Sequence, residues 1–245
     1  MRLFWHQLRA EQLLFWRSRE AAVFIFLFPI MFYVLLGTVY DGEYDGRPAS
    51  TVLLVGLLGY GAANTAFAGV ALQLVYRREI AILKRLRATP LPARVLVGAY
   101  LVSTLVIFAL QSTVLVGIGL LAYGAEGPES PLGVVGALLL AAAAFGCLGV
   151  AAASLIRSME GSSAVVNLIL LPMGFLSGSF IPREEYPDWL QPVGRALPLG
   201  QALDVLSGAW YGDSVPLWTV GALLGWAALG LALAARRFRW EPVEG

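Results

Sequence analysis

Apolar residues in this chain run on in long unbroken blocks, without the strict alternation of a half-buried strand. Six stretches hold no Asp, Glu, Lys or Arg: residues 21–39, 50–75, 95–122, 132–156, 161–182 and 215–235. Each is near or above the roughly 18–20 residues that a helix needs to cross a hydrocarbon core. Backbone polar groups in lipid must be satisfied within the segment, so such runs predict helices. An outer-membrane barrel would instead show alternating segments of about ten residues. The pattern predicts an all-α polytopic membrane protein with six transmembrane helices.

Composition agrees with lipid as the solvent. Of 245 residues, 58% are apolar and only 13% charged, with a mean hydropathy of +0.74. A soluble domain carries about a quarter charged residues. The net charge of +1 offers no global field for nucleic acid. Its distribution is more informative. With six spans, 14 of the 17 Lys and Arg residues fall on the side of the two termini, six of them between residues 77 and 94. Arg47, Arg183 and Arg195 are left on the other side, where most acidic residues gather. Basic loops stay cytoplasmic, so both termini are expected there, in a cell (inner) membrane. The first span is too long for a signal-peptide core and lacks a small-residue cleavage site at Gly37–Tyr40. Before it, residues 1–20 mix Trp, Phe and Leu with Arg and Gln, which suits an interfacial helix or an ordinary basic flank. Residues 21–239 form the six-span domain, and 240–245 a short cytoplasmic tail.

The spans are also informative for what they lack. Their polar members are Asn64, Gln73, Gln111, Asn167 and scattered Ser and Thr, with none of the ionisable groups that ion-coupled carriers place in the bilayer. The single His6 is far in sequence from Ser177 and Ser179, so no serine nucleophile has a base. One cysteine, Cys147, excludes an intrachain disulfide, and no metal cluster is expected. A phosphate-binding loop needs Gly-Lys-Ser/Thr, whereas the lone lysine, Lys84, follows Leu83. Energy from ATP would have to come through another polypeptide.

The longest internal basic segment, 77–94, reads as a short helix. Glu79, Ile82, Leu83 and Leu86 fall on one face, with Arg77, Ala81, Lys84, Arg85 and Ala88 opposite. Thr89-Pro90 ends it. Its chemistry suits a basic helix on anionic lipid and a docking helix for a cytoplasmic partner equally well. Within the spans, Asn64 and Asn167 are polar groups that seek protein or a cavity, and Phe67 shares the face of Asn64 at helical spacing. Helix–helix packing explains them as well. Gly174 with Gly178, and Gly221 with Gly225, are small-residue pairs that allow close helix approach. Pro172 is expected to kink its span.

The run Arg-Arg-Glu-Ile-Ala-Ile-Leu-Lys-Arg-Leu-Arg-Ala-Thr-Pro-Leu-Pro, from Arg77 to Pro92, resembles the cytoplasmic motif of type-2 ABC exporter permeases, closest to the drug-efflux and antibiotic-resistance branch. A second, looser likeness lies in Phe-Leu-Ser-Gly-Ser-Phe-Ile-Pro (175–182), Tyr-Pro-Asp-Trp-Leu (186–190) and Leu-Pro-Leu (197–199), similar to the family's short outer re-entrant helices before the last span. One departure is Ile80-Ala81-Ile82, where the family often has Gly-Thr. The resemblance implies a permease without its own ATPase site and with no cofactor in this chain, ATP and Mg being bound by a separate ATP-binding subunit. It implies pairing with a second permease copy or paralogue, and a coupling helix around Glu79, Ile82, Leu83 and Leu86. The substrate, a hydrophobic drug, natural product or lipid, would pass between copies along spans 2 and 5, near Asn64, Phe67 and Asn167. The alternative is an ATP-independent carrier or scaffold whose basic loop binds lipid.

Overall fold

The computed structural model describes residues 2–39, 42–44, 46–82, 92–156 and 158–237. These are helical almost throughout: α1 (Arg2–Arg17), α2 (Arg19–Val39), α3 (Ala49–Glu79), α4 (Ala93–Ala122), α5 (Pro131–Leu155), α6 (Met159–Leu176), α7 (Gln191–Ala196), α8 (Pro198–Tyr211) and α9 (Leu217–Arg237). A two-residue antiparallel pairing, Glu43–Tyr44 with Arg47–Pro48, closes the α2–α3 connection. Helix starts follow local chemistry. Ser130 Oγ accepts the Gly133 N–H at 3.2 Å and Pro131 opens α5, where its missing N–H costs nothing. Pro198 opens α8, and Gly212, at φ +73°, ends it in the left-handed conformation.

Five helices (α3, α4, α5, α6 and α9) are long and apolar enough to cross a membrane by length and composition. In α2 the apolar part, Ile25–Val39, is shorter. The helix as a whole has 21 residues, about 31 Å at 1.5 Å per residue. α3 is the hub: 83% of its apolar window is buried, against at most 56% in the other four. α9 lies along α5, α1 along α4, and α8 sits on α3, α5 and α9. Two glycines let α5 approach α3 and α9 approach α5 closely. A methyl group on Gly149 of α5 would stand 2.7 Å from the Phe67 carbonyl oxygen, and one on Gly230 of α9 would stand 2.8 Å from the Cys147 carbonyl carbon. The small-residue pairs singled out from sequence behave differently. A methyl on Gly221 or Gly225 would meet nothing within 4 Å, and Gly174 abuts the Tyr60 ring while Gly178 lies outside the helix.

Two sequence expectations need correction. The charge-free run 161–182 is not one helix: α6 ends at Leu176, and the chain turns at Gly178 (φ +90°). Residues 177–180 fold inward, with Ser177 and Ser179 buried and Phe180 packed on Tyr60 and Phe175, both at 4.9 Å between ring centroids. Absence of charge there reports burial and not helicity. The second correction concerns the start of segment 77–94. Arg77, Arg78 and Glu79 are the last turn of α3, and the helix breaks at Ile80 and Ala81, the latter at φ +56°. Glu79 and Ile82 therefore belong to different elements and do not share a helix face. Leu83, Leu86 and the opposing Lys84, Arg85 and Ala88 lie outside the described residues.

The connections sort to two ends. At one end, Glu126 N–H donates to Thr51 Oγ1 (2.8 Å), Trp210 Nε1 donates to the Glu126 carbonyl (3.1 Å) and Arg47 pairs with Asp213 (2.7 Å). At the other, α1 meets the end of α3 and the start of α4, and the end of α3 meets the end of α5.

Candidate transport pathway and coupling end

The last turn of α3 carries two buried arginines. Arg77 donates from Nη1 to Glu11 Oε1 at 2.8 Å and from Nη2 to Glu11 Oε2, and both side chains are at most 7% exposed. Gln7 Nε2 donates to the same Glu11 Oε1 at 2.7 Å, and the Arg77 guanidinium stands 4.9 Å from the Tyr100 ring centroid. Arg78 faces the other way, donating to the carbonyls of Ala153 (3.0 Å) and Ile156 (2.6 Å) at the end of α5. A cation there meets the orphan carbonyls and the negative pole of that helix. α1 is pinned to α4 as well, Gln12 Nε2 donating to Ser103 O at 3.0 Å and Oγ at 2.9 Å. Three residues beyond Arg78 the chain breaks at Ala81.

Halfway along α3, Ala63–Ala68 form a π turn, closed by the Gly69 N–H donating to the Asn64 carbonyl five residues back. Thr65 Oγ1 donates to Gln111 Oε1 across to α4 at 3.1 Å. The widened turn takes Asn64 and Phe67 out of the i, i+3 register that an α-helix would have given them. Phe67 is buried and Asn64 half-buried. Phe67 lines an apolar groove of about 710 Å³ between α5, α6 and α9, with Phe145 and Leu155 of α5, Val165 and Pro172 of α6 and Trp226 of α9. Asn64 and Asn167 do not line it. Asn167 is exposed on α6, beside the buried stripe Ser162, Val166 and Leu170, and its Nδ2 donates to Ser163 O at 2.9 Å. The three residues named from sequence are thus not gathered around one cavity.

At the opposite end, Arg183 pairs with Asp204, and Arg47 lies 3.8 Å over the Tyr211 ring. Burial pushes the Tyr211 phenol up to about 12, against the neighbouring Arg47 charge, so it stays neutral at physiological pH. No group of His, Cys, Asp or Glu among the described residues could hold a metal ion.

This helical arrangement has relatives. The profile of ABC-2 type transporters matches residues 2–211. The chain belongs to the ABC-2 type transporter family. It is similar to the doxorubicin resistance ABC transporter permease DrrC of Mycobacterium tuberculosis, 28% identical over 237 residues, covering 89% of this chain and 80% of that one. It also resembles the daunorubicin resistance permease DrrB1 of Streptomyces coeruleorubidus, 29% identical over 238 residues, 88% of this chain and 78% of that one. Nodulation protein J of Neorhizobium galegae is 32% identical over a shorter stretch of 115 residues, 44% of each chain. The protein is a multi-pass membrane permease of an ABC transporter, a transport component and not itself the catalyst.

In this ABC-2 permease the buried Glu11–Arg77 pair escaped the sequence reading, which counted Arg77 and Arg78 among the six basic residues of segment 77–94. A signal was present. Phe4, Leu8, Glu11 and Phe15 recur at spacings of four, three and four, and they form the inward stripe of α1. A carboxylate inside an apolar stripe calls for a buried cation.

Proposed function

We propose that this permease exports a hydrophobic drug, natural product or lipid-like molecule, driven by ATP hydrolysed on a separate ATP-binding subunit that also holds the Mg. The observation that carries this reading is the likeness, over 88–89% of the chain, to permeases named for resistance to doxorubicin and daunorubicin. In this reading α2, α3, α4, α5, α6 and α9 each cross the cell membrane, with both termini and the segment after Ala81 cytoplasmic. α1 lies in the cytoplasmic interface, its outer face rich in exposed Leu3, Trp5, Leu13 and Trp16. α7 and α8 are the outer return before the last span. Two permeases pair, the substrate moving between them past α3 and α6, where Asn64, Phe67 and the exposed Asn167 are the wall residues.

The groove beside Phe67 supports the substrate class. Its volume falls in the range of about 300–1,000 Å³ of sites for drug-sized ligands, its walls are almost wholly apolar, and a molecule dissolved in the bilayer would reach it without entering water. The test is ATP-dependent uptake of doxorubicin, and separately of a fluorescent phospholipid, into inside-out vesicles carrying the permease with its co-purifying ATP-binding subunit. Uptake of either that stops when ATP is withheld supports the proposal. Uptake that persists without ATP, or none of either compound, overturns it.

A further inference from the structure

Burial alone does not make the charges at the end of α3 a source of stability. A buried ion pair repays its desolvation only with excellent geometry, and a well-packed apolar pair commonly serves stability as well. What the pair adds is a defined distance and orientation between elements. Glu11 ties α1 to Arg77, and Gln12 ties the same helix to Ser103 of α4. The Arg77 guanidinium rests on Tyr100, whose hydroxyl donates to the Gly69 carbonyl at 3.2 Å. Gly69 is also the residue whose N–H closes the π turn on Asn64. The next residue along, Arg78, holds the end of α5. A single turn of α3 thus grips three neighbours, just before the break at Ala81, and one of its contacts leads back to the π turn.

We propose that Glu11 and Arg77 are positioning residues that lock α1 to the end of α3, so that displacement of the segment beyond Ala81 moves α1, α3 and α4 together and reaches the π turn through Tyr100. The π turn suits such a role, since single π turns within α-helices recur at functional sites, and this one borders the Phe67 wall of the groove. This inference rests on the reading of the chain as an ATP-driven permease, and its test separates the two.

Arg77→Met, Glu11→Gln and the reversed pair Glu11→Arg with Arg77→Glu are compared with the unaltered chain, each with its co-purifying ATP-binding subunit in vesicles. ATP hydrolysis and transport are measured separately per folded complex, and amide hydrogen exchange of residues 63–68 is followed in the purified permease. Arg77→Met should keep hydrolysis within about two-fold while transport falls by about ten-fold or more. Exchange across 63–68 should quicken, and the reversed pair should restore a substantial part of the transport. Hydrolysis and transport falling in step, or both unchanged, would make the pair merely structural. If the unaltered complex shows no ATP-dependent transport, the permease reading fails on its own. The exchange arm then still decides, because unaltered exchange at 63–68 in Arg77→Met overturns the link.

Discussion

At the scale of single residues, Ala81 carries the clearest conflict between sequence and conformation. Its φ of +56° lies in the left-handed region, where a Cβ costs roughly 1–2 kcal/mol. Ala81→Gly removes the clash but adds freedom to the unfolded chain, worth roughly 0.5–1 kcal/mol. The net expectation is a gain of about 0.5–1 kcal/mol, or about 2 °C in melting temperature for a chain of this size. Thermal unfolding of the purified permease in detergent measures it, and a lowered midpoint would contradict the left-handed assignment. The break itself was not legible in sequence, because Arg77–Leu86 is a good helical pattern and Ala is the best helix former. Only the packing of Arg77 against Glu11 and of Arg78 against α5 shows where α3 has to end.

At the scale of elements, the segment after the break is the part whose role rests most on the family resemblance. If it docks on an ATP-binding subunit, its apolar side chains carry the affinity, and losing one costs roughly 1–3 kcal/mol. If it rests on anionic lipid, its basic residues carry it, at about 1 kcal/mol each. Leu83→Asp should therefore abolish co-purification of the ATP-binding subunit while the permease still inserts. Neutralising Lys84 and Arg85 together should do much less. The reverse ranking would place the segment on lipid. Ile82, half-buried beyond the break, joins Leu83 and Leu86 in this proposed docking face, whereas Glu79 stays with α3. α6 teaches a related lesson: its charge-free run outlasts the helix by six residues, because the packed turn 177–182, where even the serines are buried, excludes unpaired charge as much as a lipid-facing helix does.

At the scale of the whole molecule, the two ends differ in how they treat charge. Of the three arginines assigned to the outer end, Arg47 is paired with Asp213 and Arg183 with Asp204. Both are locally neutralised. In a background with Cys147→Ala, a cysteine at exposed Glu43 should react with an impermeant maleimide on intact cells. One at exposed Arg237 should react only after permeabilisation. Labelling of both from the same side would refute the six-span arrangement.

The apolar runs by themselves determined the helical, membrane-embedded class and the positions of the six long apolar helices, because span length and the need to satisfy backbone groups in lipid act locally along the chain. The basic segment near residue 80 was enough to point to the family. Tertiary structure alone decided which polar residues meet. Asn64 and Phe67 parted company because a π turn, invisible in residue spacing, inserts between them and the expected register. Asn167 lies exposed, bonded within its own helix. Glu11 and Arg77, 66 residues apart, come together because α1 folds back along α4 to the end of α3, and a partnership across that distance has no periodicity to betray it.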